Sequence, residues 1–435
     1  MTTRSDTQFD LNIYDELLLR LDQPSHPLGL QLEVRKDGHF DAERLQQALL
    51  GATAKHPMSR ARLVSGDDAT FRWQIAPLPE RVALKVVPVQ DDEELASQRN
   101  RFHSQPLPLL DGLPFRALLA QGDDNDLLLL NMSNVVTDGV GLYSFLMSTL
   151  RLYSDAARDL PEPDLALTRA AAIQTPPDDG LQRLGGLMQV LGSTFKPPAR
   201  IAASGGEELP GFGFMPVRFN SEHTRNLQQL RRHGATINDV LITALHLAIQ
   251  RWNDDHQSST GRIDMIMPMN TRAEDERAQV ASNLSLWVNV NSRDSERVDF
   301  DTLLAAVAAQ TRQLKERTNL TTLATVMHEL HGLPQWLRGG GLDALLPLTS
   351  QRLTATTVLS NLGAAPPDDA ATLESLGIRE LWFSPPCRPP QGLSLGTATL
   401  GGQLHLCFRY PLQQFDSDSA WAFAEIFLEI LQQGR

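Results

Sequence analysis

The sequence predicts an α/β protein of mixed sheets with covering helices, folded as two similar lobes, and three observations lead there. Its 435 residues exceed what a single hydrophobic core ordinarily covers. Short strand-like runs alternate with amphipathic helical stretches in both halves. Between the halves lies a stretch dense in proline and glycine, with Pro161, Pro163, Pro176-Pro177, Gly185-Gly186, Pro197-Pro198 and Gly205-Gly206, which reads as a linker. The expected organisation is an N-terminal lobe over 1–160, a linker or lid over 161–214 and a C-terminal lobe over 215–435.

The elements follow in order. Residues 9–20 have helical spacing, and Leu28, Leu30, Leu32 and Val34 alternate with Gly29, Gln31, Glu33 and Arg35 in the period of a half-buried strand. Asp41 is placed to cap a helix over 42–54 that carries Leu45, Ala48, Leu49 and Ala52 on one face. Strands are expected at 60–64, 71–75 and 83–87, then a charged helix over 91–102. Residues 115–120 and 126–132 form a strand pair across the polar turn Gly122-Asp123-Asp124-Asn125, and a helix over 140–153 follows. The second half restarts with a strand at 216–219 and a helix capped by Ser221. Thr236, with Asp239 three residues on, opens the next helix in a capping-box pattern. Strands at 263–269 and 284–290 flank a charged loop, and helices are expected over 301–317 and 321–330. Strands at 354–359, 378–383, 393–399 and 403–410 precede a last helix over 417–431.

Composition narrows the function. Hydrophobic residues at 41% and charged residues at 21% are those of an ordinary soluble globular chain. A formal net charge of −13 argues against a nucleic-acid partner, which calls for clustered Lys and Arg. Global charge does not forbid a phosphorylated small molecule, and Arg225, Arg231 and Arg232 are candidate local cations, unless they are simply a solvated helix face. The two cysteines, Cys387 and Cys407, have neither metal-ligand spacing nor a disulfide framework. No apolar stretch approaches the ~18 residues needed to span a bilayer, and the N-terminus lacks an apolar signal region. The expectation is a cytoplasmic protein with no transmembrane segment and no metal.

The motif that carries most information is Ser133-Asn134-Val135-Val136-Thr137-Asp138-Gly139, between an apolar strand and an amphipathic helix. It resembles the His-His-x-x-x-Asp-Gly motif of the condensation-domain and CoA-dependent acyltransferase superfamily, with Ser and Asn in place of the two histidines. The order of other landmarks is similar to that of stand-alone bacterial members and wax ester synthase/diacylglycerol acyltransferases. These are Phe40-Asp41 to His56-Pro57, Pro108 to Arg116, Thr236-Ile237-Asn238-Asp239-Val240, Met267 to Arg272, Ser282-Asn283-Leu284-Ser285, and Val358 to Gly363.

This resemblance implies two chloramphenicol-acetyltransferase-like lobes in a V-shaped pseudo-dimer, with the motif loop at their interface and a tunnel entered from opposite faces. It implies an acyl thioester donor, on CoA or on the phosphopantetheine of a carrier protein, as co-substrate with no tightly bound cofactor. The acceptor would be a small-molecule alcohol or amine, in secondary metabolism or lipid-type acylation. The second motif histidine positions or deprotonates the acceptor in that family; Asn134 stands there, with Gly139 offering backbone donors. Asp138 would be structural and paired with Arg272. Ser133, Thr137, Asn238, Asn283, Ser285, Ser360 and Asn361 are candidate tunnel residues.

Asparagine can donate or accept hydrogen bonds but cannot take a proton at neutral pH. General-base catalysis contributes about 10² to 10⁴-fold, so its loss weakens transfer while proximity still acts. Asn134 could orient the acceptor or stabilise an oxyanion; the plainer alternative is a strand-ending Asn that bonds the loop backbone. Ser133 and Thr137 read as loop-bonding hydroxyls, since no motif histidine can activate them. Two rivals stay open: a catalytically silent scaffold for carrier-bound intermediates, and recruitment of the fold to a reaction other than acyl transfer.

Other motifs fit less well. Gly392-Leu393-Ser394-Leu395-Gly396 matches a nucleophile elbow, but its flanks read as strand and His405 precedes Asp416. His328-Glu329-Leu330-His331 is one residue short of a zinc helix, and Gly339-Gly340-Gly341 lacks the Lys of a phosphate loop. His103 and His246 read as ordinary core or surface histidines, the alternative being that one reaches the cleft as a substitute base.

Overall fold

Local sequence sets most helix starts. Asn12, Asp41, Asp91, Asp138, Asn220, Thr236, Asp299 and Asp416 each accept a hydrogen bond from a backbone N–H of the first turn, satisfying donors that have no intrahelical partner. The first seven open α1 (Ile13–Leu21), α2 (Ala42–Lys55), α3 (Asp92–Ser104), α4 (Gly139–Ser154), α5 (Ser221–Gln229), α6 (Ile237–Asp255) and α7 (Phe300–Lys315), and Asp416 opens the last helix. Helix α8 (Pro367–Ser375) starts on proline instead, and α9 (Ser417–Gln433) closes the chain. The computed structural model describes residues 8–65, 71–155, 197–206, 210–272, 281–316 and 354–434. The expected helix at 321–330, His328, His331, the glycines at 339–341 and most of the 161–214 linker lie outside the described residues.

Two helix expectations shift at their starts. Residues 8–10 form the short strand β1 (Gln8–Asp10), because the reciprocal Asn12–Asp15 capping box fixes the start of α1 four residues later than the periodicity suggested. Asn220 rather than Ser221 caps α5, its side chain accepting from His223 N.

The remaining strands are β2 (Gly29–Asp37), β3 (Ala61–Ser65), β4 (Phe71–Ile75), β5 (Leu84–Pro88), β6 (Phe115–Gln121), β7 (Asn125–Ser133), β8 (Phe212–Arg218), β9 (Ile263–Asn270), β10 (Ser285–Ser292), β11 (Thr357–Ala364), β12 (Ile378–Ser384), β13 (Ser394–Leu400) and β14 (Gln403–Pro411). A five-stranded sheet in the order β12-β2-β7-β6-β5 builds the first lobe, and a six-stranded sheet in the order β10-β9-β11-β13-β14-β8 builds the second. A small sheet β1-β4-β3 flanks the first. Both large sheets are mixed, with β5 parallel to β6 and β11 parallel to β9 and β13.

The apolar run of β7 is uninterrupted because both of its faces are covered. Leu128, Leu130 and Met132 join the core under α2 and α4, while Leu127 and Leu129 meet Leu95 and Phe102 of α3. In the second lobe α6, α7 and α9 bury Leu241, Leu245, Leu304 and Phe427 against Leu395, Leu406 and Phe408 of the sheet.

Among the described residues the sheets exchange chain at one place. Strand β12 pairs antiparallel with β2, so a piece of the C-terminal half supplies the edge of the first sheet. Helix α8, just before it, rests on α4 through the Arg151–Asp369 ion pair. β12 also packs against β13, where Gly396 lies so close to the Phe383 carbonyl that no side chain would fit.

Candidate functional site

Strand β7 ends at Ser133 and α4 begins at Gly139, so residues 134–138 form the turn between them. Both lobes pin that turn. In the first, Ser133 N donates to Pro114 O at 2.9 Å and Asn134 N to Leu28 O at 2.8 Å. From the second, Asn283 Nδ2 donates to Asn134 O at 2.6 Å, and Asp138 N donates to Ser282 O at 3.3 Å.

Asp138 has its carboxylate fully engaged. Oδ1 accepts from Gly141 N at 2.8 Å as the α4 cap; Oδ2 accepts from Arg272 Nη1 at 2.7 Å and from Leu284 N at 2.8 Å. Arg272 also donates to Ser282 O at 2.5 Å and Asn270 Oδ1 at 3.0 Å. Asp138 and Arg272 are 4% and 7% exposed, and hydrogen bonds of this completeness are what offset the desolvation of a buried ion pair. The pair is a strut between the lobes, and so committed a carboxylate does not serve as a base.

Two further contacts close the junction. His56 Nδ1 accepts from Ala281 N at 2.9 Å, which leaves Nε2–H to donate to Ser148 Oγ at 2.9 Å. Burial, and then the Lys55 charge, lower His56 to about 3, so the ring is neutral and its tautomer set by these partners. At Gly141 a Cβ would fall 2.8 Å from both Ser282 N and Ser282 O, so the lobes meet over a missing side chain. Gly141→Ala is therefore expected to cost about 1–3 kcal/mol through overpacking, read as a lower urea midpoint; an unchanged midpoint would show that the loops part freely.

A cavity of about 380 Å³ opens at this junction. Its apolar wall includes Leu17, Leu28 and Leu30 of the first lobe and Ile266, Trp287 and Val358 of the second. A second space of about 280 Å³ adjoins it, sharing Val140, Asn270, Asn361 and Leu362, with Tyr143 and the Arg151–Asp369 pair on its wall.

Of the residues singled out by sequence, Asn134, Asp138, Gly139, Ser285, Ser360 and Asn361 line the larger cavity. Asn134 is 5% exposed, and its side-chain amide makes no hydrogen bond among the described residues. The N–H groups of Gly139 and Val140, the first two of α4, likewise have no partner among them. Ser133 is turned inward, its Oγ accepting from Val135 N at 3.2 Å, and Thr137 Oγ1 donates to Asp138 O at 3.3 Å. Asn238 donates to Met267 Sδ at 3.0 Å, and Asn283 acts through the Asn134 backbone rather than from the cavity wall.

The other candidates lie elsewhere. Arg225 is exposed on α5, Arg231 donates to Ala235 O, and Arg232 pairs with Asp301. His103 is buried beside Glu33 and His246 against Ser292; neither lines the cavity. Ser394 opens β13, which continues antiparallel to β14 rather than turning into a helix. Cys387 and Cys407 are buried and free.

Two residues carry no local signal in the sequence. Tyr14 of α1 packs edge-on against the cavity-lining Trp287 at 5.5 Å, and burial followed by the Asp138 charge holds its hydroxyl well above the ordinary range. Arg388 lines the cavity from the proline-rich loop between β12 and β13. Among the described residues no helix is long and apolar enough to cross a membrane, and no group of three or more His, Cys, Asp or Glu is placed to hold a metal.

No family model matches the chain. It is 29% identical over 431 residues to an uncharacterized protein of Mycobacterium tuberculosis, Rv2305, covering 97% of this chain and 98% of that one. Among solved structures, the condensation domain of the Monacolin K polyketide synthase MokA superposes with a TM-score of 0.66 at 15% identity, over 98% of this chain and 97% of that one. The fold is that of condensation domains. An AMPPNP-bound form of FmoA3, a nonribosomal peptide synthetase, matches all of this chain at a TM-score of 0.69 and 16% identity. The chain spans 43% of that longer protein. In this condensation-domain fold the turn after β7 lies where the two sheets approach, and the cavity is framed by both.

Proposed function

We propose that the protein is an acyltransferase that moves an acyl group from a thioester, on CoA or on a carrier protein's phosphopantetheine, to an alcohol or amine acceptor in the interlobe cavity. The observation that carries this reading is the free Asn134 amide facing the cavity beside the unpartnered N–H groups of Gly139 and Val140. The condensation-domain fold of the polyketide and peptide synthetase neighbours supports it.

The chemistry asked of these groups is limited. The acceptor nitrogen or oxygen attacks the thioester carbonyl, the C–S bond breaks, and the acceptor's proton ends on the released thiol. The Asn134 amide and the first turn of α4, whose dipole favours negative charge, are placed to hold the carbonyl oxygen as it becomes an oxyanion. Asn134 takes no proton, and Asp138 is spent on Arg272. An amine acceptor in its neutral form needs a base least, so amines are the favoured acceptors.

Asn134→Ala is expected to lower kcat/KM by about tenfold, the worth of one hydrogen bond. Asn134→His, which supplies a base, is expected to raise turnover with alcohols. Both are assayed by mass spectrometry across a panel of thioesters and acceptors. Unchanged turnover in both variants removes this loop from the mechanism.

One observation favours a second reading. Among the described residues lining the larger cavity none is a histidine, and the one carboxylate is paired. A binder of carrier-tethered intermediates without catalysis needs no base. Thioester binding with no product from any donor would decide for it.

A further inference from the structure

The cavity holds a charge that the proposed transfer does not use. Arg388, in the loop between β12 and β13, lines the same space as Asn134, and it makes no side-chain hydrogen bond or ion pair among the described residues. Its Nη1 is buried without a partner. Burial lowers its pKa from the usual value, with no carboxylate acting against that shift. The guanidinium remains charged at neutral pH.

The surroundings isolate this charge. Of the other ionised groups on the two cavity walls, Asp138 is neutralised by Arg272, and Arg151 by Asp369. His26 feels Arg388, but burial comes first in lowering its pKa and the cation lowers it further. Next to Arg388, Gln391 is 4% exposed, sends its backbone N–H to Arg388 O at 2.8 Å, and lines the cavity with a side-chain amide that has no hydrogen bond among the described residues. A guanidinium with a buried, unpartnered nitrogen is costly, and such an atom calls for a partner.

We propose that Arg388 is the anion-recognition group of this cavity, and that the substrate lodged there is amphipathic, with a carboxylate or phosphate on Arg388 and its apolar body against the leucine-rich wall. Guanidinium presents paired donors that match either group, and Gln391 adds an amide donor beside it. The inference deepens the acyltransferase reading by naming the substrate's charge. It rests on that reading only in taking this cavity as the substrate site.

The test uses the full chain and three probes of one chain length: decanoate, decyl phosphate and decanol, each titrated by calorimetry. At least one anion is expected to bind about tenfold to a hundredfold tighter than decanol, as for a hydrogen-bonded charge. The tighter of the two anions identifies the source as carboxylate or phosphate. Arg388→Gln should erase the preference and Arg388→Lys keep part of it, with melting curves checking that each variant is folded. The wild-type comparison stands if Arg388→Gln does not fold, because equal affinity for anion and alcohol, or no anion binding at millimolar concentration, overturns the proposal. Retained anion preference in folded Arg388→Gln also overturns it. Anion preference without turnover on any thioester would sink the transfer reading and leave this one standing.

Discussion

Asp138→Ala is expected to lower the unfolding free energy by about 3–5 kcal/mol, because it strands a buried cation. Arg272, 7% exposed, would lose its only carboxylate among the described residues, and the N–H groups of Gly141 and Leu284 would lose their acceptor. The loss is read from urea unfolding. Asp138→Ala combined with Arg272→Met should recover much of it, since apolar replacement of a whole buried pair is often neutral. A single-variant loss below about 1 kcal/mol, typical of exposed pairs, would mean that water reaches the junction. The proposed transfer should fall with Asp138→Ala too, as the turn bearing Asn134 loses its anchor to the second lobe.

Stability is expected to fall steeply between pH 6 and 4. His56 and His246 are lowered to about 3, and His103 and His405 to about 4, burial being the largest cause for each. In the unfolded chain they take protons near the free histidine value of about 6.5. Below that pH the unfolded state binds protons that the folded state refuses, so their contribution is full above about 6.5 and drains as pH falls toward 4 and 3. Each such proton is worth about 1.4 kcal/mol per pH unit. Asp22, raised to about 6 chiefly by burial, and Asp264, also raised mainly by burial, run the other way.

The lowered histidines outnumber the raised carboxyls, so the unfolded chain takes up net protons as pH falls, each worth about 1.4 kcal/mol per pH unit. A fold stable by about 5–15 kcal/mol is then exhausted within a few units. Glu33 joins lower down: burial alone would raise it, but Arg99 and the bonds from His103 outweigh this and hold it at about 2, so its share is lost from about 4.5 downward. Urea midpoints at pH 7, 6 and 5 check the slope. A flat profile between 6 and 5 would mean the rings are hydrated.

How much was legible depended on range along the chain. The motif turn, the Thr236–Asp239 capping box and the apolar run of β7 are short-range patterns, and each appears where periodicity placed it. Helix α8 escaped notice because Asp369 and Leu373 are its buried residues, too few to set a helical period. That Ser133 and Thr137 turn inward while Asn134 faces the cavity depends on bonds to Pro114, Leu28 and Asn283, which no local spacing records. Arg388 was invisible for the same reason. In sequence it is an arginine among prolines, and only the meeting of two sheets gives it a cavity to face.

Strand β12 carries a consequence for the molecule as a whole. Its residues come from the later half of the polypeptide but complete the earlier half's sheet, and at Gly396 the two sheets are pressed backbone to backbone. Cutting the gene between the halves would yield two fragments with raw, unsatisfied margins rather than two stable modules. The crevice is therefore stitched along this seam as well as at the Asp138–Arg272 strut, and any widening to admit a bulky guest must flex around both instead of swinging the halves apart.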